Sequence, residues 1–246
     1  MSKKLNKKEI EKFSRQIILK NIGALGQKKI QEAKVLIIGM GGLGCPAAEF
    51  LTRSGIGTLG LVDYDKVSLS NIHRQTLYSE KDINKSKVKI SKKKLNEINP
   101  RTKINIFDYK LNEIKLNKII KNYDCIVDGT DNFESKFLIN DLSLKYKKFL
   151  VAGAISKFDG HIFSFDFKIK NNPSLRDFYQ EDVLTNDILN CEYDGILGTV
   201  AGIVGTMQAN EILKKILNIG QNLNGFVLIL DLLNLSIRRV KLKKRK

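Results

Sequence analysis

KVLIIGMGGLG, residues 34–44, is the stretch on which the predicted fold depends. Its first part, VLII, is a short apolar run rich in β-branched residues, which is typical of a strand buried on both faces. Gly39, Gly41 and Gly44 then form a G-x-G-x-x-G pattern, which lets backbone N–H groups approach a phosphate at the N-terminus of the following helix. We therefore expect a nucleotide site on a Rossmann-like βαβ unit.

An acidic residue follows the turn at the distance expected for such a site. A second predicted strand, residues 58–62, ends at Asp63, where an acidic residue usually binds the ribose hydroxyls of a nucleotide. The polar segment 65–82 leaves the same end of that strand, where ligands of open α/β sheets bind. A purely structural glycine turn needs neither feature, so a nucleotide site is favoured.

Strands and helices alternate along the first part of the chain, and strands dominate the last part. The predicted helices cover residues 8–20, 43–54, 85–98, 116–121, 133–146 and 199–217, and the predicted strands cover residues 35–38, 58–62, 103–107, 125–127, 149–154, 161–167, 226–231 and 235–241. Alternation implies right-handed crossovers and a parallel sheet. We expect a Rossmann-like three-layer α/β fold in a single domain, 1–246, with antiparallel strands added at the C-terminal part.

Composition sets limits on partners and location. The 246 residues carry a formal charge of +17 at pH 7, but the cations are spread along the chain, so a solvated surface is favoured over a nucleic-acid footprint. No apolar run approaches the roughly 20 residues of a membrane span, and the N-terminus lacks an apolar signal segment. Cys45, Cys125 and Cys191 form no CxxC pair, which favours reduced thiols. We expect a cytoplasmic protein without a membrane segment.

Six blocks of the sequence match one known family in order and spacing. They are SRQIIL (14–19), VLIIGMGGLGCPAA (35–48), LVDYDKVSLSNIHRQ (61–75), SKV (86–88), DGTDN (128–132) and GIVGTMQANEILK (202–214). The chain thereby resembles the ThiF/MoeB/HesA-type adenylyltransferases of ubiquitin-like sulfur carriers, which are related to ubiquitin-activating enzymes. These blocks cover nearly the whole chain and are far more specific than the glycine pattern alone.

The resemblance implies an adenylation reaction. In that family the C-terminal glycine carboxylate of a carrier protein attacks the α-phosphorus of Mg·ATP and gives an acyl-adenylate and pyrophosphate. Because the carboxylate is already ionised at neutral pH, cations and a metal ion should dominate the site. The expected cofactors are ATP and Mg²⁺. The expected partners are a sulfur carrier ending in Gly-Gly, in molybdopterin or thiamine-thiazole synthesis, and a second copy of the chain in a homodimer.

The resemblance also implies roles for individual residues. Arg74 and Lys87 are expected to hold the phosphates, and Asp131 is expected to bind Mg²⁺. Arg15 is expected to reach the phosphates of the neighbouring subunit. The remaining residues expected to contact the nucleotide are Gly39, Gly41, Gly42, Asp63, Asp65, Asn71, Gln75, Asp128 and Asn132. Without the resemblance, Asp128 and Asp131 could merely form a turn or cap the next helix, and Asp131 has the better claim to a functional role because it follows a buried strand opposite the glycine turn.

Cys191 and the positions of the family's zinc ligands bear on catalysis and on metal binding. Cys191 lies where relatives carry a loop cysteine that some members use for a covalent link to the carrier, but Glu192 and Asp194 disfavour a thiolate. Its catalytic role therefore stays open. Many relatives hold zinc through two CxxC pairs, whereas this chain has Ser174 and Asp177 at the first pair and ends in KLKKRK. We expect no zinc, a looser segment over residues 168–190 and no appended sulfurtransferase domain.

Three other functions stay open at this point. Related enzymes adenylate a carboxylate on a modified tRNA base, and the basic surface would suit such a substrate. An NAD-dependent oxidoreductase would also use the glycine pattern and Asp63, although the sequence offers no evident hydride-transfer site. A non-catalytic nucleotide-binding module would retain the fold without the reaction. The Arg, Lys and Asp set favours the adenylyltransferase.

Overall fold

The structure, a computed structural model, describes residues 5–179 and 195–244. Its strands in chain order are β1 (Lys34–Ile38), β2 (Thr58–Val62), β3 (Lys103–Phe107), β4 (Cys125–Asp128), β5 (Phe149–Ser156), β6 (Asp159–Asp166), β7 (Phe226–Asp231) and β8 (Ser236–Lys241). The α-helices of these ranges are α1 (Lys7–Lys12), α2 (Ser14–Ile17), α3 (Gly23–Glu32), α4 (Gly44–Arg53), α5 (Lys87–Ile98), α6 (Glu113–Ile119), α7 (Phe133–Lys145), α8 (Leu175–Phe178) and α9 (Gly198–Leu217). Short 3₁₀ turns cover Leu69–Asn71, Glu80–Asp82 and Ile120–Asn122.

The strands form one 8-stranded sheet in the order β3-β2-β1-β4-β5-β6-β7-β8. Strands β1 to β5 run parallel, and helical or irregular crossovers connect them in sequence. Strands β6, β7 and β8 are added antiparallel to the edge formed by β5. The predicted Rossmann-like α/β fold, parallel in its N-terminal part and antiparallel in its C-terminal part, is confirmed.

The sheet is covered on both faces, which gives the predicted three layers. Along β1, Val35 and Ile37 belong to one hydrophobic cluster and Leu36 and Ile38 to the other, because successive side chains of a strand point to opposite faces. The first cluster includes residues of α3, α4, α5 and α9, and the second includes residues of α6, α7 and α8. A strand covered in this way reads as a continuous apolar run, which explains the VLII pattern.

The prediction of one helix over residues 8–20 is wrong. Phe13, only 4% exposed, packs inward between α1 and α2 with φ −103° and ψ 11°, and this conformation interrupts the helix. The prediction also missed α3, whose glycine-rich sequence has few apolar positions. This helix instead lies very close to the end of α9, because a Cβ added at Gly26 would lie 2.9 Å from Leu217 Cδ2.

The remaining elements follow the predicted pattern closely. Strands β2, β3 and β7 have the predicted bounds, and the C-terminal antiparallel hairpin is present. The segment 168–190, predicted to be looser, contains the short helix α8, and its residues from 180 onward lie outside the described ranges. Every helix of the described ranges is too short or too polar to cross a bilayer.

The carboxyl ends of β1, β2 and β4 lie side by side, because β1 pairs with β2 on one side and with β4 on the other. Three loops follow these strands. The glycine turn follows β1, the segment that begins at Asp63 follows β2, and the DGTDN loop, residues 128–132, follows β4. The strand order reverses direction at β1, and ligands of open α/β sheets bind outside such a switch point. We call this crevice the carboxyl cleft.

Candidate functional site

The glycine turn after β1 is closely packed against the loop after β4. Gly39 has φ +89°, and a Cβ there would lie 2.7 Å from the carbonyl oxygen of Gly129. A Cβ at Gly44 would lie 1.9 Å from the carbonyl oxygen of Gly39. Both positions therefore require glycine for the fold itself. This packing fixes the turn next to the DGTDN loop.

Gly41 and Gly42 differ from these two positions. A Cβ at Gly41 would have only Gln75 Nε2 within 4 Å, at 3.7 Å, so the turn has open space on this side. A Cβ at Gly42 would lie 3.0 Å from Ala201 Cβ and 3.6 Å from Arg74 Cδ. Arg74 and Gln75 therefore lie next to the turn, and the open side at Gly41 leaves the backbone accessible to a ligand.

Asp63 is attached directly to the glycine turn. One carboxylate oxygen accepts a hydrogen bond from the Met40 amide at 2.6 Å, and the other accepts one from the Asp65 amide at 2.8 Å. Burial raises the pKa of Asp63, while the charge of Lys87 and these two amides act in the opposite direction. The structure places Asp63 in the carboxyl cleft, as predicted, and its role as the ribose ligand stays a prediction.

Lys87 begins α5 and is held by Asp65. Its Nζ lies 2.8 Å from Asp65 Oδ2, with the lysine side chain 6% exposed and the aspartate side chain 47% exposed. The Lys87 amide also donates to the Asp65 carbonyl oxygen at 3.0 Å. The cation is therefore desolvated beside the cleft, paired with a carboxylate that water screens on its other side. Such a cation can bind an anion with little further loss of hydration.

The segment Asn71–Gln75 carries the second predicted cation. The Asn71 carbonyl oxygen accepts from the amides of Arg74 at 3.1 Å and Gln75 at 3.0 Å, which fixes a compact turn. Arg74 Nη1 donates to the Ser70 carbonyl oxygen at 2.8 Å and lies 2.7 Å from His73 Nε2. Its guanidinium retains further N–H donors for a ligand.

Gln75 carries an unsatisfied polar atom at this site. The residue is 3% exposed, and its Oε1 is buried with no hydrogen-bond partner. A buried polar atom without a partner costs about 1–3 kcal/mol, so it is informative where it occurs. The Gln75 amide nitrogen, Nε2, lies 3.7 Å from the position of a Cβ at Gly41, so Gln75 lines the open side of the turn.

The DGTDN loop separates its two aspartates. Asp131 is exposed, and its Oδ1 accepts from Asn132 Nδ2 at 3.3 Å. Asn132 caps α7, since its Oδ1 accepts from the Ser135 amide at 2.9 Å. Asp128 is fully buried and both of its carboxylate oxygens are bonded within the protein. The geometry therefore gives Asp128 an organising role and does not support its predicted contact with the nucleotide, whereas Asp131 remains available to a cation.

One predicted catalytic residue, Arg15, is not brought to the cleft of its own chain. Arg15 is exposed on α2, and the adjacent Gln16 donates to the Ser54 carbonyl oxygen at 2.9 Å, at the far end of α4 from the glycine turn. A helix of this length spans about 15 Å, so Arg15 lies away from the cleft of its own chain. Cys191 lies outside the described residues.

Ser174 and Asp177, which stand where many relatives have the first pair of zinc-binding cysteines, lie at the start of α8 and within it. Ser174 caps this short helix, and Asp177 Oδ2 accepts hydrogen bonds from the Ser174 amide at 2.7 Å and hydroxyl at 3.0 Å. The two residues therefore have a structural role as a capping box. Across residues 5–179 and 195–244, no group of three His, Cys, Asp or Glu side chains could hold a metal ion.

Sequence reasoning missed four residues that organise the cleft. Tyr78 donates to the Met40 carbonyl oxygen at 2.9 Å, and Thr130 and Lys136 bond the carboxylate of Asp128. Gln208, from α9, donates to the Asp128 carbonyl oxygen at 2.8 Å. The available signal was weak, because a lysine or glutamine in the middle of a helix usually faces solvent.

Comparison with known proteins identifies relatives over the whole described site. The sequence profile of the ThiF family matches residues 13–246. A probable molybdopterin-synthase adenylyltransferase of Gracilaria tenuistipitata var. liui is 40% identical over 238 residues, covering 97% of this chain and 66% of that protein. The adenylyltransferase and sulfurtransferase MOCS3 of Drosophila persimilis is 37% identical over 243 residues, covering 99% of this chain and 53% of that protein.

The chain thus spans 66% and 53% of the length of these two curated relatives. Among solved structures, that of E. coli MccB with ATP is similar with a TM-score of 0.83 at 19% identity, covering 98% of this chain and 73% of MccB. At this identity the likeness is one of fold. The profile match over most of the sequence and the 40% and 37% identities establish the relationship: the chain belongs to the ThiF family.

Proposed function

We propose that the protein is an ATP-dependent adenylyltransferase that activates the C-terminal glycine carboxylate of a ubiquitin-like sulfur-carrier protein. The observation that carries this proposal is the meeting of an open glycine turn, a desolvated Lys87 and an exposed Asp131 at one cleft. The names of the relatives favour molybdopterin synthesis as the pathway. Two free, buried cysteines, Cys45 and Cys125, agree with a reducing, cytoplasmic environment.

ATP fits the residues of the cleft. The open side of Gly41 leaves room beside the turn, and Gln75 Nε2, a hydrogen-bond donor, lies next to it. Backbone amides at the N-terminus of α4 favour an anion there, so the phosphates would lie over the turn. Asp63 would accept the ribose hydroxyls, which are hydrogen-bond donors, and Asp65, Asn71 and the α7 cap would line the remainder of the cleft.

Mg²⁺ fits at Asp131, because it prefers carboxylate oxygen together with phosphate oxygen and water. When bound, the ion would neutralise part of the phosphate charge and so favour departure of pyrophosphate. Asp131 is exposed and makes one weak side-chain contact, so its carboxylate is free to take a ligand. The side chain of Asn132 is committed to capping α7.

The reaction depends on stabilising the negative charge of the phosphates and not on proton transfer. A carboxylate oxygen of the carrier glycine forms a bond to the α-phosphorus, the bond from that phosphorus to the bridging oxygen breaks, and pyrophosphate leaves with the electron pair. No proton moves in this step. Arg74 and Lys87 would stabilise the charge on the phosphates, and they can do so without reorganising because both are already held by protein groups.

We further propose that the active enzyme is a homodimer in which Arg15 acts on the partner's nucleotide. Three exposed apolar side chains accompany Arg15 in this region: Ile18 is 67% exposed, Leu19 53% and Leu25 77%. An apolar surface of this kind favours a protein interface. Arg15 lies away from the cleft of its own chain, so a role in catalysis requires a second subunit.

The test is formation of a carrier adenylate. The protein would be mixed with Mg·ATP and candidate carriers ending in Gly-Gly, and the carrier mass would be measured for an added AMP. We expect the adduct with the wild type and with Arg53→Ala, an exposed arginine paired with Glu49, and at least a hundredfold less with Arg74→Ala or Asp131→Ala. ATP consumption that depends on tRNA and occurs in the absence of any carrier would overturn the proposal in favour of a nucleic-acid substrate.

A further inference from the structure

A buried ion pair supports the loop that carries Asp131. Lys136, on α7, is 4% exposed, and its Nζ lies 3.0 Å from Asp128 Oδ2. The same ammonium donates to the Gly153 carbonyl oxygen at 2.6 Å, so it links α7 to β4 and β5. Neither charge has access to water, and each depends on the other for compensation.

The other oxygen of the Asp128 carboxylate shapes the loop. Its Oδ1 accepts from the Thr130 amide at 2.9 Å and from the Thr130 hydroxyl at 2.6 Å. Gly129 donates its amide to the Ile38 carbonyl oxygen at 2.9 Å, which ties the same loop to β1. The backbone leading to Asp131 is thus fixed by Asp128, and the orientation of Asp128 is fixed by Lys136.

Asp131 has little support of its own. Its carboxylate is exposed and bonded to the neighbouring Asn132 at 3.3 Å, so its position follows from the backbone on either side. The cap at Asn132 fixes one side and the Thr130 contacts fix the other. Loss of either constraint would leave the carboxylate free to move relative to the glycine turn.

We propose that Lys136 is a positioning residue for Asp131, and through it for the Mg²⁺ ion of the proposed reaction. Lys136 does not touch the nucleotide or the metal. It holds the Asp128 carboxylate in the orientation that binds Thr130, and this sets the loop before a ligand arrives. The inference rests on the proposed function for its metal, although the ordering of the loop is a property of the unliganded chain.

Two variants and a matched control test the proposal. Lys136→Met removes the charge and keeps most of the apolar stem, whereas Lys136→Arg keeps a cation that can bond both Asp128 and Gly153. Lys215→Met is the control, because Lys215 also pairs with a buried aspartate, Asp166, at 2.5 Å. That pair lies at the amino end of β5, opposite the cleft, as Asp166 pairs with Phe149.

The first readout is hydrogen–deuterium exchange of the loop peptide, residues 128–135, without any ligand. Lys136→Met should raise the exchange rate of the Thr130 amide at least tenfold, while Lys136→Arg and Lys215→Met should leave it near the wild-type rate. Unchanged exchange in a folded Lys136→Met protein would overturn the positioning role, because it would show that the loop is ordered without the ion pair.

The second readout is the Mg²⁺ concentration needed for half-maximal ATP binding. Loss of a residue that orients a metal ligand typically weakens metal binding about 10- to 100-fold, so Lys136→Met should raise this concentration by that factor. The value for Lys215→Met should stay near wild type even if both proteins lose thermal stability. Equal values for the two methionine variants would contradict the proposal. Failure of the wild type to bind ATP at all would instead overturn the proposed function, which the exchange readout does not require.

Discussion

Replacing Gly41 by alanine separates ligand binding from folding at the glycine turn. Gly41 does not have a positive φ, and the nearest atom to an added Cβ is Gln75 Nε2 at 3.7 Å, an ordinary van der Waals distance. Alanine at such a position stabilises a protein by about 0.4–1 kcal/mol, because it reduces the freedom of the unfolded chain. The unliganded variant should therefore fold with wild-type stability or slightly above it.

The effect on ATP should be large. The methyl group would fill the open side of the turn and keep a phosphate oxygen out of hydrogen-bonding reach of the backbone. One lost hydrogen bond to a charged group costs about 1.5–3 kcal/mol. At 1.4 kcal/mol per tenfold change, ATP should bind roughly 10- to 150-fold more weakly.

The assay is calorimetric titration with Mg·ATP, accompanied by urea unfolding of each variant. Gly202→Ala is the matched control, since a Cβ there has no atom within 4 Å and the residue lies on α9. Gly44→Ala should instead lose most of its stability, because its Cβ would lie 1.9 Å from the Gly39 carbonyl oxygen. Affinity of Gly41→Ala within threefold of wild type would refute the placement of the phosphates over this turn.

Three further predictions concern other parts of the molecule. Lys87→Met should weaken ATP binding by about 10- to 100-fold but cost little stability, since its partner Asp65 stays hydrated; a large drop in unfolding free energy with intact ATP affinity would contradict this. Mixing Arg15→Ala with Asp131→Ala subunits should restore about one quarter of wild-type adenylation, because half of the dimers are mixed and each has one complete site; no recovery would argue against action across the interface. Asp82 has a pKa lowered to about 2 by Lys94 and Ser79, which prevail over the opposing effect of burial, so its contribution to stability is present above pH 4 and is lost as pH falls toward 2. Asp82→Asn should therefore lower the unfolding free energy by about 1–2 kcal/mol at pH 6 and by about half as much at pH 3, as urea titrations at both pH values would show.

The parts of the fold that depend on local pattern were predictable from the sequence. The VLII run and the glycines after it identify β1, the turn and α4, because strand burial on two faces and close backbone approach leave direct marks on residue type. Helix α3 was not predictable in this way. It packs through Gly26 and a buried Gln27, and neither residue signals an apolar helical face.

The candidate site likewise contains residues that the sequence predicts and residues that it does not. Asp63 and the cleft end of β1 follow from the chain distance and topology of a βαβ unit, and the structure brings them together. The pairing of Asp128 with Lys136 could not be predicted, because it joins α7 to β4 and β5 through a cation that composition alone would place at the surface. Tertiary packing decides such contacts, and a single sequence does not encode them in any local pattern.

The central claim is tested most directly by exchange of labelled pyrophosphate into ATP with the wild-type protein and Mg²⁺. Reactions would contain a carrier ending in Gly-Gly, the same carrier with its C-terminal carboxylate amidated, tRNA, or no addition. We predict exchange that requires the carrier with a free carboxylate, because only an ionised glycine carboxylate can attack the α-phosphorus. ATP then forms again when labelled pyrophosphate attacks the adenylate. Exchange that is absent with every carrier, or equally fast with the amidated form, would contradict the proposed reaction.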